Sequence, residues 1–156
     1  MRVTIVAVGR LKSGPERDLI SDYSERFRRT GRSLGFTDFR LVEIDERKAT
    51  TKEAQAKALL EGIPNGSLVW ACDERGDQLK SEQFARDLQK QAEAGILDLV
   101  FVIGGADGLG PAVLDGAHRK IAFGSMVWPH MLVRVLLTEQ LYRAVSILAG
   151  LPYHRA

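Results

Sequence analysis

The run at residues 97–110, LDLVFVIGGADGLG, narrows the folds open to this chain more than any other stretch. Leu99, Val100, Phe101, Val102 and Ile103 follow one another without a polar break, the pattern of a strand covered on both faces. Gly104, Gly105, Gly108 and Gly110 then crowd one loop, where the backbone must turn sharply or lie against something that leaves no room for a Cβ. Pro111, a residue favoured in the first turn of a helix, comes next. Strand, glycine loop and helix start in succession place backbone groups at the carboxyl end of a central strand, where open α/β sheets bind small molecules.

Composition sets the outer bounds. A chain of 156 residues fits one domain, residues 1–156, and can bury a real core. With 45% hydrophobic and 27% charged residues it reads as soluble and globular, and no apolar run is long enough to span a bilayer. The opening MRVTIVAVGR is too short in its apolar part for a signal peptide and alternates like a strand, so a cytosolic protein is expected. Cys72 has no partner for a disulfide, and His118, His130 and His154 are too scattered for a zinc spacing, so no metal is implied. A net charge of +2 permits an acidic partner without requiring one.

Strands are expected at residues 1–8, 39–45, 68–72, 99–103 and 120–123. Between and after them, helices are expected at residues 15–29, 51–61, from Ser81 to the stop at Gly95, 112–117 and 131–149. Ser13 and Ser81 are the expected caps of the first and third helices, and residues 73–76 the turn after the third strand. Arg26, Arg28, Arg29 and Arg32 close the first helix, where the helix dipole explains them as well as an RNA-phosphate patch does. The last helix is apolar nearly all round, so a partner subunit is expected to cover part of it, most simply in a twofold dimer. The alternation of strands and helices gives an α/β fold with a mostly parallel sheet and helices on both faces.

Two nucleotide signatures fail. Residues 9–14 have the glycine spacing of a phosphate loop but continue Pro15-Glu16 rather than Lys and Ser or Thr. The glycines at 104–110 do not fit the dinucleotide fingerprint and come late in the chain. Two late loops remain, 104–110 and 124–130, each at a strand end and each opening a helix. A cofactor without polyphosphate suits them, and S-adenosylmethionine is such a molecule.

Four ordered blocks carry a resemblance: GGADGL from Gly104, PHMLVR from Pro129, EQLYRA from Glu139 and PYHR from Pro152. Together with the chain's length and its VAVG start they resemble the RlmH (YbeA) family of SPOUT-class methyltransferases, which act on a pseudouridine of bacterial large-subunit ribosomal RNA. The resemblance implies a carboxyl-terminal trefoil knot, a homodimer, S-adenosylmethionine as methyl donor and methylation of pseudouridine N3 in 23S rRNA. Because so small a domain has no appended RNA-binding module, action on assembled ribosomal subunits or ribosomes is expected. It places the cofactor against Cys72, Gly105 and the run Phe123, Gly124, Ser125, Met126, Val127 and Trp128. Ala122, Gly124 and Val127 stand where the family is expected to carry serine or threonine, so backbone contacts are expected there rather than hydroxyl contacts.

Methylating an imide nitrogen requires alignment with the methyl group and removal of the N3 proton. His154 is the expected base, since histidine titrates nearest neutral pH, with Arg143 and Tyr153 completing the catalytic set. Arg155, Arg134 and Tyr142 are the expected RNA contacts. Rival readings stand beside these. Arg143 is four residues from Glu139 and could simply pair with it. His130 reads better as a shaper of the helix start than as a proton carrier, and Met126 and Trp128 read as well as wall. The rival to the whole assignment is a non-catalytic ribosome-binding factor of the same fold that has lost its cofactor.

Overall fold

The structure, a computed structural model, describes residues 1–155. The chain runs β1 (Arg2–Val8), α1 (Pro15–Gly31), β2 (Asp38–Ile44), α2 (Lys52–Glu61), β3 (Leu68–Gln78), α3 (Ser81–Glu93), β4 (Asp98–Ile103), α4 (Pro111–Gly116), β5 (Arg119–Ala122) and α5 (His130–Leu148). The strands form one five-stranded sheet in the order β2-β1-β4-β3-β5, and every neighbouring pair is parallel.

The two-residue period of a strand sorts the apolar side chains into two cores. Val3, Ile5, Trp70, Leu99, Phe101 and Ile103 face one side, where Phe27 of α1, Phe84 and Leu88 of α3, and Leu137, Leu141 and Val145 of α5 cover them. Val6, Val8, Val69, Ala71, Val100 and Val102 face the other, under Ala56 and Leu59 of α2 and Val113 of α4. Because β4 is central and covered on both faces, it carries the unbroken apolar run seen in its sequence.

The helix boundaries follow local chemistry with two exceptions. Thr51 caps α2, its hydroxyl accepting from the Ala54 amide at 3.1 Å. Gly14, not Ser13, precedes α1, and no side chain caps it. Ser81 is the first residue of α3 rather than its cap, and its hydroxyl donates instead to Gln140 Oε1 at 2.8 Å, tying α3 to α5.

The segment 73–76 is not a simple turn, because β3 continues through it to Gln78. Both Cys72 and Asp77 pair with Ile121 of β5, so four residues bulge between two stretches of the same ladder. Gly76 makes this feasible: a Cβ there would lie 2.5 Å from the Ile121 amide nitrogen. Gly104 is as tightly placed, since a Cβ would lie 2.6 Å from the Gly108 carbonyl carbon.

Arg134, expected to meet RNA, is fully buried on α5. Its guanidinium donates to the carbonyls of Val8 (2.6 Å) and Gly9 (2.8 Å) and to Glu43 Oε2 (3.2 Å). That expectation is therefore corrected: the side chain points inward and holds α5 to the end of β1. Of the arginines at the end of α1, Arg26 pairs with Asp22, and Arg28 pairs with Asp38 and donates to the Phe39 carbonyl, so these two serve the fold. Cover for α5 comes mostly from α1, α3 and the sheet. What stays exposed is its start, Met131 and Leu132, together with Met126, Val127 and Trp128 just before it.

Replacing Arg134 by Met removes the cation facing a half-buried Glu43 and leaves two carbonyls without donors. The expected loss is roughly 3–5 kcal/mol of unfolding free energy in urea titrations. A loss under about 1 kcal/mol would show that α5 is held by packing alone. Gly104→Ala should also destabilise, by about 1–3 kcal/mol, whereas Gly116→Ala, whose Cβ would meet nothing within 4 Å, should be near neutral.

Candidate active site

The loops after β4 and β5 meet. Together with the bulge of β3 and the start of α5 they enclose a cleft of about 430 Å³ at the carboxyl ends of β3, β4 and β5. Its size falls in the range of small-molecule sites. Cys72, Gly105, Phe123, Gly124, Met126, Val127 and Trp128 line it; Ser125, expected with them, does not. The Trp128 indole N–H donates to the Phe123 carbonyl at 3.1 Å and closes the second loop on itself. His130, expected to shape the helix start, also lines the cleft, as do three residues given no site role from sequence. Lys52 comes from the distant start of α2, and Asp73 and Arg75 read as part of a turn until β3 is seen to bulge there.

The electrostatics are mild. Arg75 is paired with Asp73 at 2.9 Å, and this arginine holds the Asp73 carboxyl below its ordinary value. Lys52 is a further cation at the cleft, whose lining also includes the carboxylates Glu74 and Asp107. No cradle of cations for a polyphosphate is present among the described residues of the cleft; backbone edges and apolar side chains make up most of its wall. That donor set fits a neutral or singly charged ligand carrying an aromatic ring. Burial pushes the Cys72 thiol up to about 12, so this side chain is inert wall and not a nucleophile. Burial, reinforced by Arg134, also lowers the pKa of His130 and keeps it neutral, and its Nδ1 has no hydrogen-bond partner.

A second groove, about 510 Å³, adjoins the cleft. Phe123, Gly124 and Trp128 form a wall common to both, and Lys80, Ser81, Leu136 and Gln140 line the far side.

The carboxyl-terminal tail folds back on α3 and α5. The Tyr153 hydroxyl donates to Glu139 Oε1 at 2.8 Å. Arg143 Nη2 donates to the same oxygen at 2.5 Å, and its Nη1 lies 3.2 Å from His154 Nδ1. His154 Nε2 lies 3.0 Å from Glu82 Oε1 on α3. Burial and then the Glu139 hydrogen bond raise the Tyr153 pKa, keeping it a phenol that donates. Tyr142 packs against Tyr153 with ring centroids 4.6 Å apart and planes tilted by 54°, and the guanidinium of Arg26 lies over the Tyr142 ring. Arg155 is exposed.

His154, Arg143, Tyr153 and Tyr142 are thus brought together, and the i,i+4 pair of Arg143 with Glu139 coexists with its contact to His154. The hub is Glu139, which sequence reading saw only as that pair. None of these residues lines the cleft. His130 at the cleft and Arg143 in the tail cluster are thirteen positions apart on α5, or about 20 Å at 1.5 Å per residue.

Among the described residues, no helix is long and apolar enough to cross a membrane, and no group of His, Cys, Asp or Glu side chains is placed to hold a metal ion.

Comparison with known proteins defines the class. The family model described as "Predicted SPOUT methyltransferase" matches residues 1–154. A crystal structure titled as a "Probable Methyltransferase from Bordetella pertussis Tohama I" superposes with a TM-score of 0.54 at 16% identity, covering 92% of this chain and 93% of the other, a likeness of fold. The ribosomal RNA large subunit methyltransferase H of Dinoroseobacter shibae is 54% identical over 155 residues, 99% of each chain. That of Ruegeria pomeroyi is 53% identical over the same share. The chain belongs to the ribosomal RNA large subunit methyltransferase H (RlmH) family of SPOUT methyltransferases.

Two outcomes test the environment of the cleft. Because the Cys72 thiol titrates near 12 rather than 9, iodoacetamide at pH 8 should alkylate it roughly a thousandfold more slowly than a free thiol; labelling at the free-thiol rate would place Cys72 elsewhere. His130 has a depressed pKa in the folded chain, so the stability it contributes is present above the ordinary histidine value and is lost as pH falls from there through the depressed value. His130→Gln should flatten that part of the urea stability profile between about pH 7 and pH 5.

Proposed function

We propose that this chain transfers the methyl group of S-adenosylmethionine to N3 of a pseudouridine in bacterial 23S ribosomal RNA, acting in the cytoplasm on assembled ribosomes. The observation that carries this reading is the meeting of the two late loops in one cleft without phosphate-binding machinery, in a chain 54% identical along its length to a ribosomal RNA methyltransferase. The aromatic and backbone-lined wall fits an adenosine, and the scarcity of free cations suits a ligand whose reacting sulfur is itself positive. When bound, S-adenosylmethionine supplies an electrophilic methyl group.

The chain's own residues do the rest. Gly105, Phe123, Gly124 and the run from Met126 to Trp128 present backbone groups to the donor, and Cys72 closes the wall as a neutral side chain. His154 accepts the N3 proton, Arg143 meets its ring, Tyr153 steadies the Glu139 carboxylate that grips Arg143, and Arg143 with the exposed Arg155 meets oxygens of the target nucleotide.

The separation of about 20 Å along α5 is the reason for a homodimer in this reading. In a twofold pair, the tail of one copy reaches the cleft of the other. The exposed Met126, Val127, Trp128, Met131 and Leu132 at the rim of the cleft are the apolar surface such a partner would cover. The carboxyl-terminal part, in which the loops after β4 and β5 press against β3, is proposed to be threaded as a trefoil knot.

The experiment is mass spectrometry of 23S rRNA nucleosides from a strain lacking the gene. The methylpseudouridine signal should vanish, return with the wild-type chain, and fall at least about 100-fold short of that with His154→Ala. An unchanged signal in the deletion strain would remove the proposed activity. Leu132→Glu should yield monomers by light scattering and lose methylation; a dimer with full activity would move the interface elsewhere.

A further inference from the structure

We infer that Glu82, at the start of α3, is a positioning residue for His154: its carboxylate holds the ring through Nε2 and offsets the charge the ring acquires when Nδ1 takes a proton. The proposal rests on the reading of His154 as the base.

The hydrogen-bond chemistry settles which ring nitrogen is free. An arginine N–H can only donate, so with Arg143 Nη1 at 3.2 Å the His154 Nδ1 must offer a lone pair. The proton of the neutral ring then sits on Nε2, which donates to Glu82 Oε1 at 3.0 Å. Glu82 is well suited to remain a carboxylate. Its pKa is lowered first by its own backbone N–H and then by His154, and the first turn of a helix favours negative charge. Ser81, its neighbour, bonds Gln140 on α5, and Gln140 bonds Glu139, which holds Arg143 and Tyr153. A closed circuit of side chains therefore joins α3, α5 and the tail, and the His154 ring cannot rotate without breaking it.

The bond that has to yield for catalysis is the one at Nδ1. Glu139 gives the Arg143 guanidinium a second partner, so when Arg143 shifts off Nδ1 to admit the imide N3–H of the target base it keeps its bonds to Glu139. In the transfer, the N3 proton passes to Nδ1, the N3 electron pair forms the N–CH3 bond, and the pair of the broken S–CH3 bond stays on sulfur. The positive charge that leaves the sulfur thereby ends on the imidazole, opposite the Glu82 carboxylate.

The test compares Glu82→Ala, Glu82→Gln and His154→Ala in the full-length protein, by steady-state methylation of ribosomes and by proton NMR of the free protein. Wild type should show a protected, downfield Nε2–H resonance that His154→Ala removes. Glu82→Ala should lose that resonance and drop kcat roughly 10- to 100-fold with KM for S-adenosylmethionine and for ribosomes within about twofold. Glu82→Gln keeps an acceptor without the charge, so it should retain the resonance at higher field and recover part of kcat. A wild-type kcat in either Glu82 variant, or a defect confined to KM, overturns the proposal. If His154→Ala is inactive in that case, only the role of Glu82 falls. If His154→Ala is fully active, the assignment of the base falls first and this proposal with it.

Discussion

The buried guanidinium of Arg134 is the fixed point of the molecule. A parallel strand that ends inside a protein leaves carbonyls without partners, and such groups are costly when dry. At the end of β1 the two carbonyls, Val8 and Gly9, both accept from Arg134, and Glu43 on β2 balances its charge. Burial lowers the arginine pKa, with Glu43 and Glu46 opposing the effect, and the side chain remains a cation. This one residue therefore decides where α5 begins relative to the sheet. Since His130 and the loop before it arrive with that first turn, it also decides where the cleft has its wall.

The helix so anchored works as a spacer. Its first turn lines the cleft, its middle lines the adjoining groove through Leu136 and Gln140 and carries Glu139, and Arg143 follows one turn later; the tail is bonded to Glu139 and Arg143. Packing against α1, α3 and β4 covers most of it, so the apolar surface left over is gathered at the cleft end. The helix therefore carries the cleft wall at its start and the Glu139–Arg143–His154 cluster about 20 Å further along.

Much of this was legible in the residues. Strand positions followed from two-residue alternation and from the apolar run of β4, and the two late loops were visible as glycine clusters at strand ends. The failures share a cause, which is that the deciding interaction lies far away in sequence. Arg134 reads as a surface charge until Val8 and Gly9, more than a hundred residues earlier, are seen beneath it. Ser81 reads as a cap until Gln140 is seen to accept its hydrogen bond. Residues 73–76 read as a turn because nothing local announces that the strand resumes against Ile121. Glu82 gives no sign of a role, since its partner His154 is 72 positions away.

The cleft between the two late loops stands or falls as the seat of the methyl donor. Calorimetric titration of the purified protein with S-adenosylmethionine tests it most directly. Saturable heat that S-adenosylhomocysteine abolishes by competition, and that ATP at the same concentration leaves intact, is the expected result. Absence of heat with S-adenosylmethionine, or stronger competition by the nucleoside triphosphate, would contradict it.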